Sequence, residues 1–451
     1  MEYKNARIVS YNLYGERVCA GAAKISTTKG NAFELFDGEP DHEADRKLIG
    51  KVLNSGHSSV IEHAVFSLAL KDVTVCVEEF FIEHRLASFT VKSRRYVDFS
   101  ALGFYVPQEL SGAELEAYNN YMQPLFEAYS RLTERGIPME DARFLLPYSF
   151  YSNFYCTLNA RELVRMIADM KCGRGRNMPE LQNIAAQLEE QLLALFPSFD
   201  KHLASLEKQF AAQTSPKLSP KISGPSFVPA GDAGTAQLLS SPQNPKLLIE
   251  AAASVSGADT DSLALILASP RPRELEMLNY AFSIKDVSLP CITHIVRHRM
   301  QSVIIPDIGS IDMSRVIVPD SVHADPAAEE IFIKAVSGAF EKLTALKGQP
   351  HFEKYRCYYA ISGMLTDIIL SMNARELLLF IQLRSCNRAQ WEIRKIATGM
   401  LALLRESYPE LFDAMGPSCF VKGFCPEGRM CCGRQDEVKA RFSQHVLLQD
   451  K

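Results

Sequence analysis

The pentapeptide Asn-Ala-Arg-Glu-Leu occupies residues 159–163 and returns letter for letter at residues 373–377, 214 positions later. Other pairs keep that spacing: Leu70-Lys-Asp-Val73 with Ile284-Lys-Asp-Val287, His84-Arg85 with His298-Arg299, Cys172 with Cys386, and Arg174 with Arg388. Chance does not hold one register over about a hundred residues, so the chain reads as a duplicated domain, and a repeat has to be recognised before a fold is assigned.

The segment between the copies, residues 211–245, includes TSPKLSPKISGPSFVPAGDAGTAQ, dense in proline, serine and glycine. Such a stretch buries too little apolar area to offset its ordering entropy and reads as a linker. The first domain is accordingly placed at 1–210, the second at 246–415, and a cysteine-containing tail at 416–451.

Within the copies, residues 64–77 (AVFSLALKDVTVCV) alternate and are β-branched, which predicts a strand. Residues 184–196 have helical spacing and end before Pro197, and residues 373–383 open with an asparagine suited to capping a helix. Helix and strand mix without a βαβ rhythm, which favours an α+β fold over a doubly wound sheet. Gly173-Arg-Gly175 is an isolated pair of glycines, and no nucleotide-binding glycine fingerprint follows a strand.

The 451 residues are 47% hydrophobic, enough for two or three cores. A charged content of 23% and a net charge of −4 argue against nucleic acid or an anionic membrane as the main partner. The amino-terminal stretch lacks a signal-type apolar run, and no segment reaches the roughly 18 apolar residues of a membrane span. With eleven scattered cysteines, these features predict a soluble cytoplasmic protein in a reducing compartment.

Three constellations carry chemistry. Arg297-His298-Arg299 flanks an imidazole with two guanidiniums, suited to a phosphate or pyrophosphate or, alternatively, to a solvated basic turn. On a helix, Asn373, Leu377, Phe380 and Arg384 share one face. That ends an apolar stripe with a guanidinium that needs an anionic or carbonyl partner, either Glu392 or a ligand. Trp391, the sole tryptophan, reads as core or interface. Ser93-Arg94-Arg95-Tyr96 can reach a phosphate or form a basic loop at a strand end. In the tail, Cys419, Cys425, Cys431 and Cys432 could hold zinc or an iron–sulfur cluster. Their spacing contains no C-x2-C pair and two of them are adjacent, so no metal is assigned.

Together these residues resemble the flavin-dependent thymidylate synthase family, known by an R-H-R-x7-S motif. His57-Ser-Ser59-Val-Ile-Glu62-His63 looks like the family's H-x-S-x-x-E-H element, and Glu83-His84-Arg85 with Ser93, Arg95 and Tyr96 looks like the signature loop. The run GIPMEDARFLLPYSFYSNFYCTLNAREL, which contains Arg143, and the helix Ala389-Gln-Trp-Glu-Ile-Arg394 complete the match. The resemblance implies two tandem domains, each a twisted, mainly antiparallel sheet flanked by helices. It implies reductive methylation of dUMP to dTMP, with FAD as cofactor and NADPH and methylenetetrahydrofolate as co-substrates. Arg384 would be catalytic, contacting the uracil carbonyl edge. Arg297, His298, Arg299, Asn373, Arg375, His84, Arg85, Ser59, Asn159 and Arg161 would bind the cofactor. Ser93, Arg95, Arg143 and His294 would bind the nucleotide.

Neither copy carries the whole pattern. The first has Phe80 and Glu83 where the family has Gln and Arg, Met170 at the position of Arg384, and GRNMPE in place of AQWEIR. The second has Asp307 and Gly309 where Ser and Arg are expected, and RPRELEM for the histidine element, in which Arg271 and Met277 stand at the histidine positions and only Glu276 is kept. The losses are complementary, which predicts composite sites and a homodimer standing in for a four-domain assembly. Glu83 predicts dead sites elsewhere, since a carboxylate beside a phosphate is repulsive. A non-catalytic flavin or nucleotide binder, or an enzyme acting on another pyrimidine, are the alternatives.

Overall fold

The computed structural model describes residues 4–99, 101–213, 222–257 and 263–444. Its contacts divide the chain into two units, the first of residues 1–219 and 334–361, the second of 220–333 and 362–451.

In the first unit, β1 (Ala6–Tyr11), β2 (Val65–Thr74), β3 (Ala87–Val91) and β4 (Tyr151–Asn159) form an antiparallel sheet in the order β1-β2-β4-β3. Phe66, Leu68 and Leu70 of β2 and Phe154, Cys156 and Leu158 of β4 alternate inward, under Leu163, Val164 and Ile167 of the helix Ala160–Cys172. Residues 334–361 join this unit through an aromatic cluster: the Tyr121 hydroxyl donates to the Tyr359 carbonyl at 2.6 Å, and the Tyr118 and Phe352 rings meet Tyr359 edge-on.

The second unit repeats the plan. Its strands are β5 (Ser226–Pro229), β6 (Thr235–Ser240), β7 (Asn279–Ser288), β8 (Gln301–Ile304), β9 (Arg315–Val318) and β10 (Leu365–Asn373). Four of them form an antiparallel sheet in the order β6-β7-β10-β8, while β5 and β9 pair in parallel. Val65 faces Asn159 in the first sheet and Asn279 faces Asn373 in the second, so the 214-residue repeat is also a repeat of strand register. These are two mixed α and β units with antiparallel sheets flanked by helices. Part of the stretch read as linker is strand, because β6 draws its stability from backbone pairing with β7 rather than from its own apolar content. Residues 214–221 of that stretch lie outside the described residues.

The Lys-Asp-Val repeat marks a bulge. The register breaks between Leu70 and Val73 in one sheet and between Thr366 and Ile368 in the other. Asp72 and Asp286 take φ of 49° and 58°, a left-handed conformation that aspartate tolerates better than most residues. Each donates its amide at 3.1 Å to a side chain of the neighbouring strand, Asn153 and Asp367 respectively. The strand predicted over 64–77 therefore stops at Thr74, and Val75–Ile82 is helix, because the Thr74 hydroxyl caps it from the Val77 amide at 3.3 Å. Ser288 does the same for Leu289–Ile295. The predicted helix at 184–196 extends back to Pro179, and that at 373–383 is Ala374–Arg384 with Asn373 as its cap. Among the described residues no helix is long and apolar enough to cross a membrane.

Candidate active site

Each sheet delivers a histidine to the same local setting. The helix after β7 ends at Ile295, and the chain turns through Arg297, His298 and Arg299. His298 is buried while both arginines are exposed. The Asn373 side chain accepts from the Glu376 amide at 2.9 Å, starting the helix Ala374–Arg384 so that Glu376 faces inward. Glu376 Oε1 then meets His298 Nδ1 at 2.9 Å, and the Arg384 Nε–H donates to His298 Nε2 at 3.0 Å. The Phe380 ring packs edge-on against the imidazole, 4.9 Å between centroids.

This geometry sets the tautomer. A guanidinium only donates, so Nε2 must accept and the proton sits on Nδ1, directed at Glu376. Burial lowers the His298 pKa from its ordinary value, and the Arg384 charge lowers it further, against the pull of Glu376. The imidazole is therefore neutral at pH 7, and the half-buried Arg384 is held at the end of a carboxylate–imidazole–guanidinium chain. Glu392, the protein partner expected for Arg384, instead accepts from the Ser288 amide at 2.7 Å and from its hydroxyl. It is buried on the helix Trp391–Ser407 and bound to the start of the helix Leu289–Ile295, where a first-turn N–H needs an acceptor. Trp391 is half-buried at the first turn of that helix.

The first unit builds the same frame with different electrostatics. Asn159 caps its helix through the Glu162 amide at 3.0 Å, and Glu162 meets His84 Nδ1 at 2.9 Å. Met170 replaces the guanidinium, and His84 Nε2 faces Asp169 at 3.9 Å instead. Arg174 donates to Asp169 at 3.1 Å, pairs with Glu83, and lies over the Phe80 ring at 4.9 Å. Glu83 thus has a cation beside it. A cleft of about 540 Å³ opens here, lined by Glu83, His84, Arg85, Arg165, Arg174 and Phe210 among others.

The remaining cofactor candidates are engaged locally. Arg161 pairs with Glu62 at 2.6 Å and Arg375 with Glu276, both partners coming from the short helix before β2 or β7. Ser59 and Arg85 are exposed, while His294, the nucleotide candidate of the second unit, is half-buried on Leu289–Ile295.

The nucleotide candidates of the first unit do come together. The Ser93 hydroxyl accepts from the Arg95 amide at 3.3 Å, Arg95 pairs with Glu140 at 2.7 Å, and Arg143 Nε donates to the Glu140 carbonyl at 3.0 Å. Arg143 is buried, and one of its terminal nitrogens has no hydrogen-bond partner. Burial and the neighbouring Arg94 charge pull its pKa down to about 10. Three guanidiniums around a buried unsatisfied N–H suit an anion.

Sequence reasoning missed what supports them. Arg94 pairs with the fully buried Glu78, which also accepts from Ser152 at 2.6 Å, and Glu79 accepts from the Tyr148 hydroxyl at 2.6 Å. The signal was available: two carboxylates in the apolar run VCVEEFFI need partners. The equal 78-residue spacing of His84–Glu162 and His298–Glu376 was another.

Burial pushes the Glu79 carboxyl up to about 8, and Glu180, which holds the Thr74 amide at 2.8 Å, up to about 7. An acid with a raised native pKa holds its proton in the fold while the unfolded chain loses it near pH 4.5. Stability is therefore expected to be complete below pH 4.5 and to fall as pH rises, with Glu79 the larger contributor above pH 7. Converted at about 1.4 kcal/mol per pH unit, the two raised values set an upper bound of about 8 kcal/mol on the total loss. Chemical denaturation across that range checks it: E79Q should remove most of the slope above pH 7, and a wild-type curve that rises there would contradict the assignment.

The profile of a family described as "Thymidylate synthase complementing protein" matches residues 7–198 and again 237–410. The flavin-dependent thymidylate synthase of Geobacter sulfurreducens is 35% identical over 174 residues, 38% of this chain and 75% of that protein. That of Clostridium tetani is 32% identical over 195 residues, covering 39% and 78%. Among solved structures, a UMP/dUMP methylase PolB from Streptomyces cacaoi bound with 5-Br dUMP aligns at TM-score 0.39 and 25% identity, covering 44% of this chain and 94% of that one.

Proposed function

The chain belongs to the thymidylate synthase complementing protein family, with two family domains in tandem, and from that premise we propose that it is a flavin-dependent thymidylate synthase converting dUMP to dTMP. The observation that carries the proposal is the Glu376–His298–Arg384 chain. Arg384 would place a fixed positive charge against the uracil carbonyl edge, stabilising the negative charge that makes C5 nucleophilic. His298 and Glu376 would hold that guanidinium in position, and Ser93, Arg95 and Arg143 would form the first unit's own phosphate-binding group. The exposed guanidiniums of Arg297 and Arg299 beside a buried imidazole fit the pyrophosphate of FAD. When bound, the flavin would supply reducing equivalents drawn from NADPH, with methylenetetrahydrofolate as the carbon source.

We place the enzyme in the cytoplasm, since all eleven cysteines are free, and as a homodimer carrying four family domains. A stable, active monomer by mass measurement would contradict the dimer. The assay of choice is NADPH oxidation dependent on dUMP and folate and yielding dTMP, backed by rescue of a thymidine-requiring bacterium. The second reading, a flavin-binding protein without turnover, draws support from the carboxylates Glu83 and Asp169 in the first unit's cleft. Tight FAD uptake with no dTMP from any preparation would favour it. Turnover of a different uridylate would favour the third, another pyrimidine.

A further inference from the structure

Five cysteines converge in the second unit, one more than the tail alone offers. Cys386 opens the loop after the helix Ala374–Arg384. The helix Ser418–Lys422 is tied to that helix by the Ser418 hydroxyl, which donates to the Gln382 carbonyl at 3.4 Å, and this seats the buried Cys419 nearby. Arg388 fastens the far end of the tail, donating to the carbonyls of Met430 at 2.8 Å and Cys431 at 3.5 Å. The Asn387 amide reaches Cys432 Sγ at 3.9 Å. Cys419 consequently lies within electrostatic reach of Cys386, Cys425 and Cys432, and Cys425 and Cys431 share a thiol hydrogen bond. In the first unit the counterpart Cys172 faces Glu189 and Glu207 instead.

The second observation is what the backbone does at these sulfurs. The Arg388 amide donates to Cys386 Sγ at 3.5 Å, the Gly433 amide to Cys431 Sγ at 3.4 Å, and the Glu427 amide to Cys425. In all three cases the donor is the residue two ahead of the cysteine. N–H groups aimed at sulfur in this way are the supporting hydrogen bonds that orient metal ligands.

We propose that Cys386, Cys419, Cys425 and Cys431 bind a zinc ion through four thiolates, clamping the C-terminal tail onto the loop that follows Arg384. Zinc takes four sulfurs tetrahedrally and needs no open position in a structural site. Arg388 offsets part of the excess negative charge. Among the described residues no group of three or more His, Cys, Asp or Glu already stands in a metal-holding arrangement. The ion therefore draws the loops together as it displaces the thiol protons.

The test is elemental analysis of the full chain, purified anaerobically without added metal or affinity tag. The expected result is about one zinc per chain, with the four thiols shielded from a thiol reagent until a chelator is added. C386S, C419S, C425S and C431S should each lose the metal, while C432S and C172S keep it. Circular dichroism separates loss of metal from loss of fold, and C386S, on a half-exposed loop, is the variant least able to disturb the core. Iron with matching sulfide, lost in the same four variants, would overturn zinc in favour of a cluster on the same thiolates. Protein that carries neither and leaves all five thiols reactive in the presence of micromolar zinc would overturn the site. Metal lost in C432S but retained in C431S would overturn the assigned fourth ligand.

Discussion

Arg384→Ala is expected to lower the turnover of dUMP by about 10²–10³-fold and to abolish rescue of a thymidine-requiring bacterium, while leaving FAD uptake and the melting temperature close to those of the parent chain. The guanidinium is half-buried at the end of its helix, so truncation leaves no large cavity in the core. Arg384→Lys should fail as well. An ammonium on a flexible stem loses the Nε–H that holds His298 at 3.0 Å and the planar fork suited to a carbonyl edge. His298→Gln should lower kcat more than it raises KM, because it loosens Arg384 without removing its charge. Rescue by Arg384→Ala at wild-type growth would remove this residue from the mechanism.

Arg94→Met is expected to be among the most destabilising substitutions in the first unit, at about 3–5 kcal/mol, because it strands the fully buried Glu78 carboxylate. Replacing both partners, as Arg94→Met with Glu78→Met, should recover most of that loss, since two apolar side chains need no mutual charge. The double variant should nevertheless bind nucleotide less tightly. Arg94 neighbours Arg143, whose pKa is lowered by burial and further by the Arg94 charge, and the pair together attract an anion. Thermal melting of the three proteins decides the matter. If the double variant melts no higher than Arg94→Met, the cost lies in lost packing and not in the stranded charge.

Much of the site was legible because the duplication displays it twice. The Asn-Ala-Arg-Glu-Leu repeat reads in structure as three jobs: the asparagine caps a helix, the arginine pairs with Glu62 or Glu276, and the glutamate holds a histidine. The resemblance assigned the asparagine and arginine to a cofactor; the asparagine's capping role was readable from its place at the head of a helix, whereas the arginine's partner was invisible because the contact joins residues about a hundred positions apart. The GRNMPE segment hid Glu180 for another reason. Glu180 and Glu392 perform the same capping task, yet they are 212 positions apart, so a fixed 214-residue comparison sets Glu392 against Met178.

Period and repetition settled, without any coordinates, that the chain holds two related domains, that each mixes sheet with helix, and that basic residues gather where β2 and β7 give way to the signature turns. Those properties are local or periodic, and a linear string preserves them. Folding alone decided which nitrogen of His298 is protonated, which carboxylate Arg94 neutralises, and that Cys386 joins the thiols of the tail. Each depends on groups distant in sequence being brought within about 3–4 Å, where hydrogen bonds and charge act strongly and a residue list carries no record of it.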